Sequence, residues 1–124
     1  MTEKQKMLMG ILYNAEDQAL IEERNHAKSL TRQFNEHWED KGHRNYLVGQ
    51  IFGNLGQNVH LEAPIYLDYG YRTTIGSDFF SNFNLTILDG GGVEIGNHVF
   101  IGPNVGIYTA NHPVDVKRRE KGYE

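Results

Sequence analysis

Residues 93–107 read VEIGNHVFIGPNVGI, a stretch that repeats one pattern every six residues. The repeated apolar pairs are Val93/Ile95, Val99/Ile101 and Val105/Ile107. A period of six fits neither the turn of an α-helix, about 3.6 residues, nor the simple alternation of a flat sheet, so the backbone must turn a corner after each pair. This pattern is typical of a parallel β-helix built from hexapeptide units. Short antiparallel strands joined by glycine turns are the alternative.

The same spacing extends toward the N-terminus with one interruption. Ile75, Ser81 and Ile87 are six residues apart, but eight residues separate Ile87 from Ile95. The extra residues fall within Asp-Gly-Gly-Gly at 89–92, which predicts a local bulge or tight turn.

Glycines mark the predicted corners of the coil. Gly76, Gly96 and Gly102 each follow an isoleucine directly, where a turning backbone tolerates only a small or absent side chain. If each coil uses three hexapeptides, about 18 residues, the segment from Val59 to His112 makes three coils.

The first part of the chain has a different pattern. Residues 16–39 lack proline and glycine, are dense in charge and place their apolar side chains on one helical face. Residues 2–9 predict a shorter helix that ends at Gly10, and residues 45–55 predict a third. Helices before a solenoid commonly cap its open end, so this segment is expected to be a cap.

The expected fold is therefore mainly β, with two parts. Residues 1–57 form the helical cap, and residues 58–124 form the parallel β-helix.

Composition limits the classes of partner and site. The chain has 124 residues, a net charge of −4 and no cysteine, which argues against nucleic-acid binding, a disulfide framework and a thiolate metal site. No apolar stretch approaches the roughly 18 residues of a membrane span, and the first residues do not resemble a secretory signal. We therefore expect a cytoplasmic protein with no nucleic-acid or membrane partner.

One histidine stands apart from the other five. His112 lies in Thr109-Ala110-Asn111-His112-Pro113, directly after the last repeat. A histidine at the edge of a rigid scaffold and next to a proline is positioned rather than mobile. The residues alone leave two interpretations open, a catalytic group and an ordinary loop histidine.

Several segments together resemble one family. They are EKQKM at 3–7, LY at 12–13, DYGY at 68–71, NFNLTILD at 82–89, IGPNV at 101–105 and YTANHP at 108–113. The chain resembles the maltose and galactoside O-acetyltransferases of the hexapeptide acyltransferase superfamily, including their N-terminal maltose-acetyltransferase cap.

The resemblance implies a left-handed parallel β-helix that assembles as a homotrimer, with each acetyl-CoA site between neighbouring subunits. It also implies transfer of an acetyl group from acetyl-CoA, the co-substrate, to a hydroxyl of a sugar of the maltose, glucose or galactoside type, without a metal. His112 matches the family's catalytic histidine, and its pKa range suits a general base that takes the hydroxyl proton as the oxygen attacks the thioester.

Three further positions acquire a role through the resemblance. Asn82 matches a family asparagine at the acetyl-transfer site and is a candidate for binding both acceptor and acetyl-CoA, although by itself it is compatible with a left-handed corner. Asp68 matches an acceptor-site position, and its alternative is a solvated turn. Asp89 is a weaker candidate for sugar binding. Gly90 stands where galactoside-type members carry a second acidic residue, so the sugar is not specified.

Two alternatives remain open at this stage. Family members continue past the position of Glu124 with coils that supply most CoA contacts. We therefore expect a chain that is truncated at its C-terminal end and binds CoA weakly. The first alternative is thus a catalytically inactive, truncated hexapeptide-repeat protein. A γ-carbonic-anhydrase-like metalloenzyme would need about three converging histidines. Besides His98 and His112, the repeat region offers only the distant His60.

Overall fold

The computed structural model describes residues 1–124. In chain order the elements are α1 (Glu3–Met9), α2 (Gln18–Glu36), α3 (Lys41–Ile51), β1 (Asn54–Leu55), β2 (Val59–Leu61), β3 (Ile65–Leu67), β4 (Thr73–Ile75), β5 (Phe79–Ser81), β6 (Leu85–Leu88), β7 (Val93–Ile95), β8 (Phe100–Ile101), β9 (Gly106–Tyr108) and α4 (Val116–Glu120). The expected mainly β fold with helices at its N-terminus is confirmed.

The nine strands form three parallel sheets. Their orders are β1-β4-β7, β2-β5-β8 and β3-β6-β9, so each coil contributes one strand to each sheet. This is a three-sided parallel β-helix with three coils, as predicted, and the alternative of antiparallel hairpins is wrong. We call the β3-β6-β9 sheet the third sheet.

The coil is longer than predicted. Leu67 pairs with Ile87, and Ile87 pairs with Ile107, so one coil takes 20 residues. The additional residues lie at the corner after the third sheet. The predicted turn at 89–92 is confirmed: Gly92 has φ 85°, and its N–H donates to the Asp89 carbonyl at 2.9 Å. An equivalent turn at 68–72, with Gly70 at φ 79°, precedes it by one coil.

The core fills the interior of the coils. Its fully buried members from the strands include Leu61, Ile65, Phe79, Leu85 and Ile87. Inner residues of the third coil, such as Ile101 and Ile107, pack against this core but are only partly buried. The coils also bury the polar side chains of Thr73, Ser81 and Asp89, each 0% exposed, and the Ser81 Oγ has no hydrogen-bond partner.

The predicted third helix is shifted. The first two helices are confirmed with slightly shorter bounds, whereas α3 begins and ends four residues before the predicted range 45–55. The early start follows from Asp40, whose carboxylate caps the first turn by accepting a hydrogen bond from the His43 N–H at 3.1 Å. The early end follows from Gly53, where a Cβ would overlap the carbonyl oxygen of Tyr71. The chain must cross a neighbouring segment there, so the helix stops and β1 begins.

The helix α2 lies along the third sheet. The Asn35 side chain exchanges two hydrogen bonds with the backbone of Ile65, at 2.9 and 2.8 Å, and Phe34 is buried in the core. These contacts hold α2 against the third sheet. None of the helices combines the length and apolar character needed to cross a membrane.

Candidate functional site

Two of the predicted site segments emerge at one edge of the third sheet. Asp68 follows β3, and the segment leading to His112 follows β9. Because β3, β6 and β9 are parallel, their carboxyl ends share an edge. The β-helix therefore brings Asp68 and the His112 segment to the same end of the sheet.

Asp68 is a half-buried carboxylate without a hydrogen-bond donor in the chain. It borders a cavity of about 430 Å³ between α2 and the third sheet, which Lys28 and Tyr66 also line. Burial raises the pKa of Asp68, and the charges of Glu124 and Asp89 act in the same direction. A carboxylate that is partly removed from water and has no internal partner is available to a ligand.

A polar network flanks Asp68. The Tyr13 hydroxyl donates to the Glu124 carboxylate at 2.9 Å, and the Arg24 guanidinium donates to the Tyr69 hydroxyl at 2.8 Å. Burial raises the pKa of both tyrosines. Sequence reasoning missed this network, because no local pattern pairs residue 13 with residue 124.

The His112 segment is anchored at its start. The Thr109 backbone N–H and hydroxyl both donate to the Leu88 carbonyl, at 2.9 and 2.6 Å, and the Gly91 N–H donates to the Thr109 hydroxyl at 2.8 Å. His112 is exposed, and its backbone N–H donates to the Asn111 side chain at 2.9 Å. Its imidazole makes no hydrogen bond within the chain. The histidine therefore extends from an ordered scaffold with both ring nitrogens free.

Asn82 lies at the opposite end of the third sheet. It sits in the corner before β6, where its Oδ1 accepts a hydrogen bond from the Phe83 N–H at 2.8 Å, and its Nδ2 has no partner in the chain. The left-handed corner that the sequence left open for Asn82 belongs to Asn84, at φ 65°. The length of β6, about 10 Å at ~3.3 Å per residue, separates Asn82 from the edge where the His112 segment leaves. A single chain does not bring these two residues together.

Asp89 requires a correction. The sequence made it a weak candidate for sugar binding, but it is 0% exposed. One carboxylate oxygen accepts from the Tyr69 N–H at 2.8 Å and the other from the Thr73 hydroxyl at 2.9 Å. Both oxygens are used and none of the side chain reaches solvent, so Asp89 links the turn after β6 to the corner after β3 in the preceding coil instead of contacting a ligand.

Comparisons of the sequence and of the structure with known proteins point to one family. The maltose acetyltransferase hexapeptide capping motif matches residues 6–56. Nodulation protein L of Rhizobium meliloti (strain 1021) is 36% identical over 99% of this chain and 68% of its own length. This chain belongs to the maltose and galactoside O-acetyltransferase family.

Solved structures of the family superpose closely. A maltose O-acetyltransferase from Clostridium difficile 630 has a TM-score of 0.94 at 44% identity, covering 99% of this chain and 66% of the relative. A galactoside acetyltransferase in complex with coenzyme A has a TM-score of 0.92 at 35% identity, covering 99% and 62%. This chain thus spans about two thirds of the length of the relatives that it matches.

The metalloenzyme alternative requires about three converging metal ligands. Within one chain, no three histidine, cysteine, aspartate or glutamate side chains lie close enough to hold one metal ion. His98 occupies a left-handed corner at φ 59°, and its Nδ1 lies 3.6 Å from the Asp78 carboxylate. It is thereby engaged in a corner contact of the β-helix.

Proposed function

We propose that this chain belongs to an acetyl-CoA-dependent sugar O-acetyltransferase in which His112 is the general base. The observation that carries the proposal is an unpartnered imidazole held at the same edge of the third sheet as an unpartnered carboxylate, Asp68. Family membership supplies the reaction class, and a relative solved with coenzyme A supports the donor.

The chemistry needs one proton acceptor and two bound substrates. A sugar hydroxyl is a poor nucleophile near neutral pH, so an imidazole that removes its proton during attack accelerates the step. The oxygen attacks the thioester carbonyl of acetyl-CoA, the carbon–sulfur bond breaks, and the proton passes from the imidazolium to the departing thiolate. The products are an acetyl sugar and CoA. No covalent acyl-enzyme is needed, and holding both substrates together supplies the proximity.

Asp68 is the proposed acceptor-binding group. Its carboxylate would accept hydrogen bonds from sugar hydroxyls, and the cavity beside it offers Tyr66 as an apolar surface and Lys28 as a donor. Maltose and galactosides are proposed acceptor types because relatives are named for maltose and for galactoside acetylation, and glucose is included because it is the sugar unit of maltose.

We further propose that the site is completed between copies of the chain. Asn82 lies at the far end of the third sheet from His112, so it serves acetyl transfer only if it meets the His112 of another copy. A homotrimer with a left-handed coil satisfies this requirement, with the helices as the cap and the β-helix beginning at Asn54, the start of β1, instead of at the predicted residue 58. In each of its three sites, Asn82 would bind the acceptor or the thioester while His112 of a neighbouring copy removes the proton.

The test is acetyl transfer from acetyl-CoA to maltose, glucose and a β-galactoside, followed by release of the CoA thiol. The substitution His112→Ala is expected to lower kcat by about 10² to 10⁴-fold, the usual contribution of a general base. The matched control is His26→Ala, because His26 is an exposed histidine on α2 to which no catalytic role is assigned. Equal inactivity of the wild type and His112→Ala on every acceptor would reject the proposed function.

A further inference from the structure

The segment 109–124, which we call the histidine loop, is tied to the rest of the chain at both ends. At its first end, the Thr109 hydroxyl donates a hydrogen bond to the Leu88 carbonyl. Its second tie is a short antiparallel pairing with residues 13–15. Tyr13 and Glu124 exchange two backbone hydrogen bonds at 3.1 and 2.8 Å, and the Tyr13 hydroxyl adds its bond to the Glu124 carboxylate.

The pairing extends by one more bond. The Ala15 N–H donates to the Gly122 carbonyl at 2.8 Å, and Asn14 and Tyr123 form an isolated bridge. We call these contacts between residues 13–15 and 122–124 the cap clamp.

The cap side of the clamp is itself fixed. The Ala15 carbonyl accepts a hydrogen bond from the Arg24 guanidinium of α2 at 2.8 Å. The Asn14 N–H donates to the Glu3 carboxylate of α1 at 2.7 Å. Residues 13–15 are therefore held by two helices, and they present a rigid edge to the end of the histidine loop.

A line of contacts leads from the clamp back to the histidine. The clamp holds the residues that directly follow α4. From within α4, the Arg119 guanidinium donates to the carbonyls of Pro113 and Val114 at 3.4 and 3.3 Å. Pro113 is the neighbour of His112. These contacts connect the clamp, through α4, to the residue that follows His112.

Gly122 makes the clamp sensitive to a single methyl group. It has φ 85°, which disfavours any other residue, and a Cβ there would overlap the Cγ of Glu16. Alanine at this position would strain the backbone of the clamp and press against the side chains of Asn14 and Glu16.

We propose that the cap clamp positions His112, with Gly122 and Tyr13 as positioning residues. The inference rests on the proposed function for its catalytic consequence, but its structural content is independent of that function. It gives the helical segment a role in the reaction beyond covering the end of the β-helix.

Hydrogen exchange on the full chain tests the structural content. Gly122→Ala is compared with Gly10→Ala, because Gly10 also has a positive φ, 73°, but nothing lies within 4 Å of its added Cβ. We expect Gly122→Ala to speed exchange by about tenfold or more at the hydrogen-bonded amides of the clamp and of α4, including Arg119, while β6 is unchanged, since local opening is independent of the core. The amides of residues 110–112 have no backbone partner, so NMR order parameters report on them, and we expect these to fall in Gly122→Ala. Faster exchange in the clamp with unchanged order parameters at 110–112 would overturn the proposal, because His112 would then be held by Thr109 alone.

Kinetics on the full chain test the catalytic consequence. Tyr13→Phe removes one bond of the clamp without adding bulk, and Tyr46→Phe on the exposed face of α3 is its matched control. We expect Tyr13→Phe to lower kcat several-fold while the KM for acetyl-CoA and the midpoint of the pH profile stay unchanged. The same kcat for both variants would overturn the positioning role. Absence of wild-type activity would reject the proposed function instead, and the exchange experiment would still decide whether the clamp holds His112.

Discussion

Replacement of Asp89 by alanine should be among the most destabilising single changes in this chain. The carboxylate is completely buried, and it accepts hydrogen bonds from the Tyr69 N–H and the Thr73 hydroxyl. Alanine removes both acceptors and leaves two buried donors unpaired.

The expected loss follows from these two bonds. A hydrogen bond to a charged group contributes about 1.5–3 kcal/mol, and a donor left buried without a partner loses its solvation as well. We therefore expect Asp89→Ala to lower the free energy of unfolding by about 3–5 kcal/mol. Asp89→Asn keeps the shape and one acceptor oxygen, so its loss should be smaller, about 1–2 kcal/mol.

Urea unfolding followed by circular dichroism measures both variants against Asp40→Ala. Asp40 also accepts a hydrogen bond from a backbone N–H, but it is exposed at the N-terminus of α3, and loss of such a cap costs about 1 kcal/mol. The urea concentration at the unfolding midpoint should be lowest for Asp89→Ala. It should be higher for Asp89→Asn, and as high or higher for Asp40→Ala. If Asp89→Ala loses no more stability than Asp40→Ala, the buried role given to this carboxylate is wrong.

Three further changes test the coil and the site. Ser81→Ala should raise the free energy of unfolding by about 1 kcal/mol, because it removes a buried hydroxyl without a partner; unchanged or lower stability in urea would contradict this. Gly76→Ala should cost about 1–3 kcal/mol because its Cβ would overlap Gly96 in the next coil, whereas Gly102→Ala meets nothing within 4 Å and should be close to neutral; equal losses would contradict the stacking. Asp68→Asn should change how stability depends on pH. The folded state holds the Asp68 proton to higher pH than the unfolded state, so wild-type stability falls as the pH rises from the ordinary carboxyl pKa through the raised one. The stability of the Asn variant relative to wild type should therefore increase across that window, and a difference independent of pH would count against a raised pKa.

The sequence predicted the three-coil β-helix because inward side chains must repeat at a fixed spacing when each coil stacks on the previous one. It underestimated the coil length because the corner at 68–72 carries no run of glycines comparable to that at 89–92. The end of α3 was missed because it depends on Gly53 crossing Tyr71, a contact between residues far apart in the chain.

The site was predictable only in part, because several of its contacts also join residues that are far apart in the chain. The setting of His112 at the edge of the scaffold follows from its place after the last repeat. The enclosure of Asp89 depends on Tyr69 and Thr73 in the preceding coil, and a carboxylate beside glycines gives no local sign of burial. The pairing of Tyr13 with Glu124 likewise joins the two ends of the sequence.

The proposed trimer requires that Asn82 of one copy and His112 of another complete each site. Each of the single variants Asn82→Ala and His112→Ala is expected to be inactive by itself. When the two variants are unfolded together, mixed in equal amounts and refolded, about a quarter of the sites in a random cyclic trimer combine an intact Asn82 with an intact His112. We expect acetyl transfer from acetyl-CoA to recover to about that fraction of the activity of wild-type protein refolded in the same way. No recovery above the separate variants would contradict it.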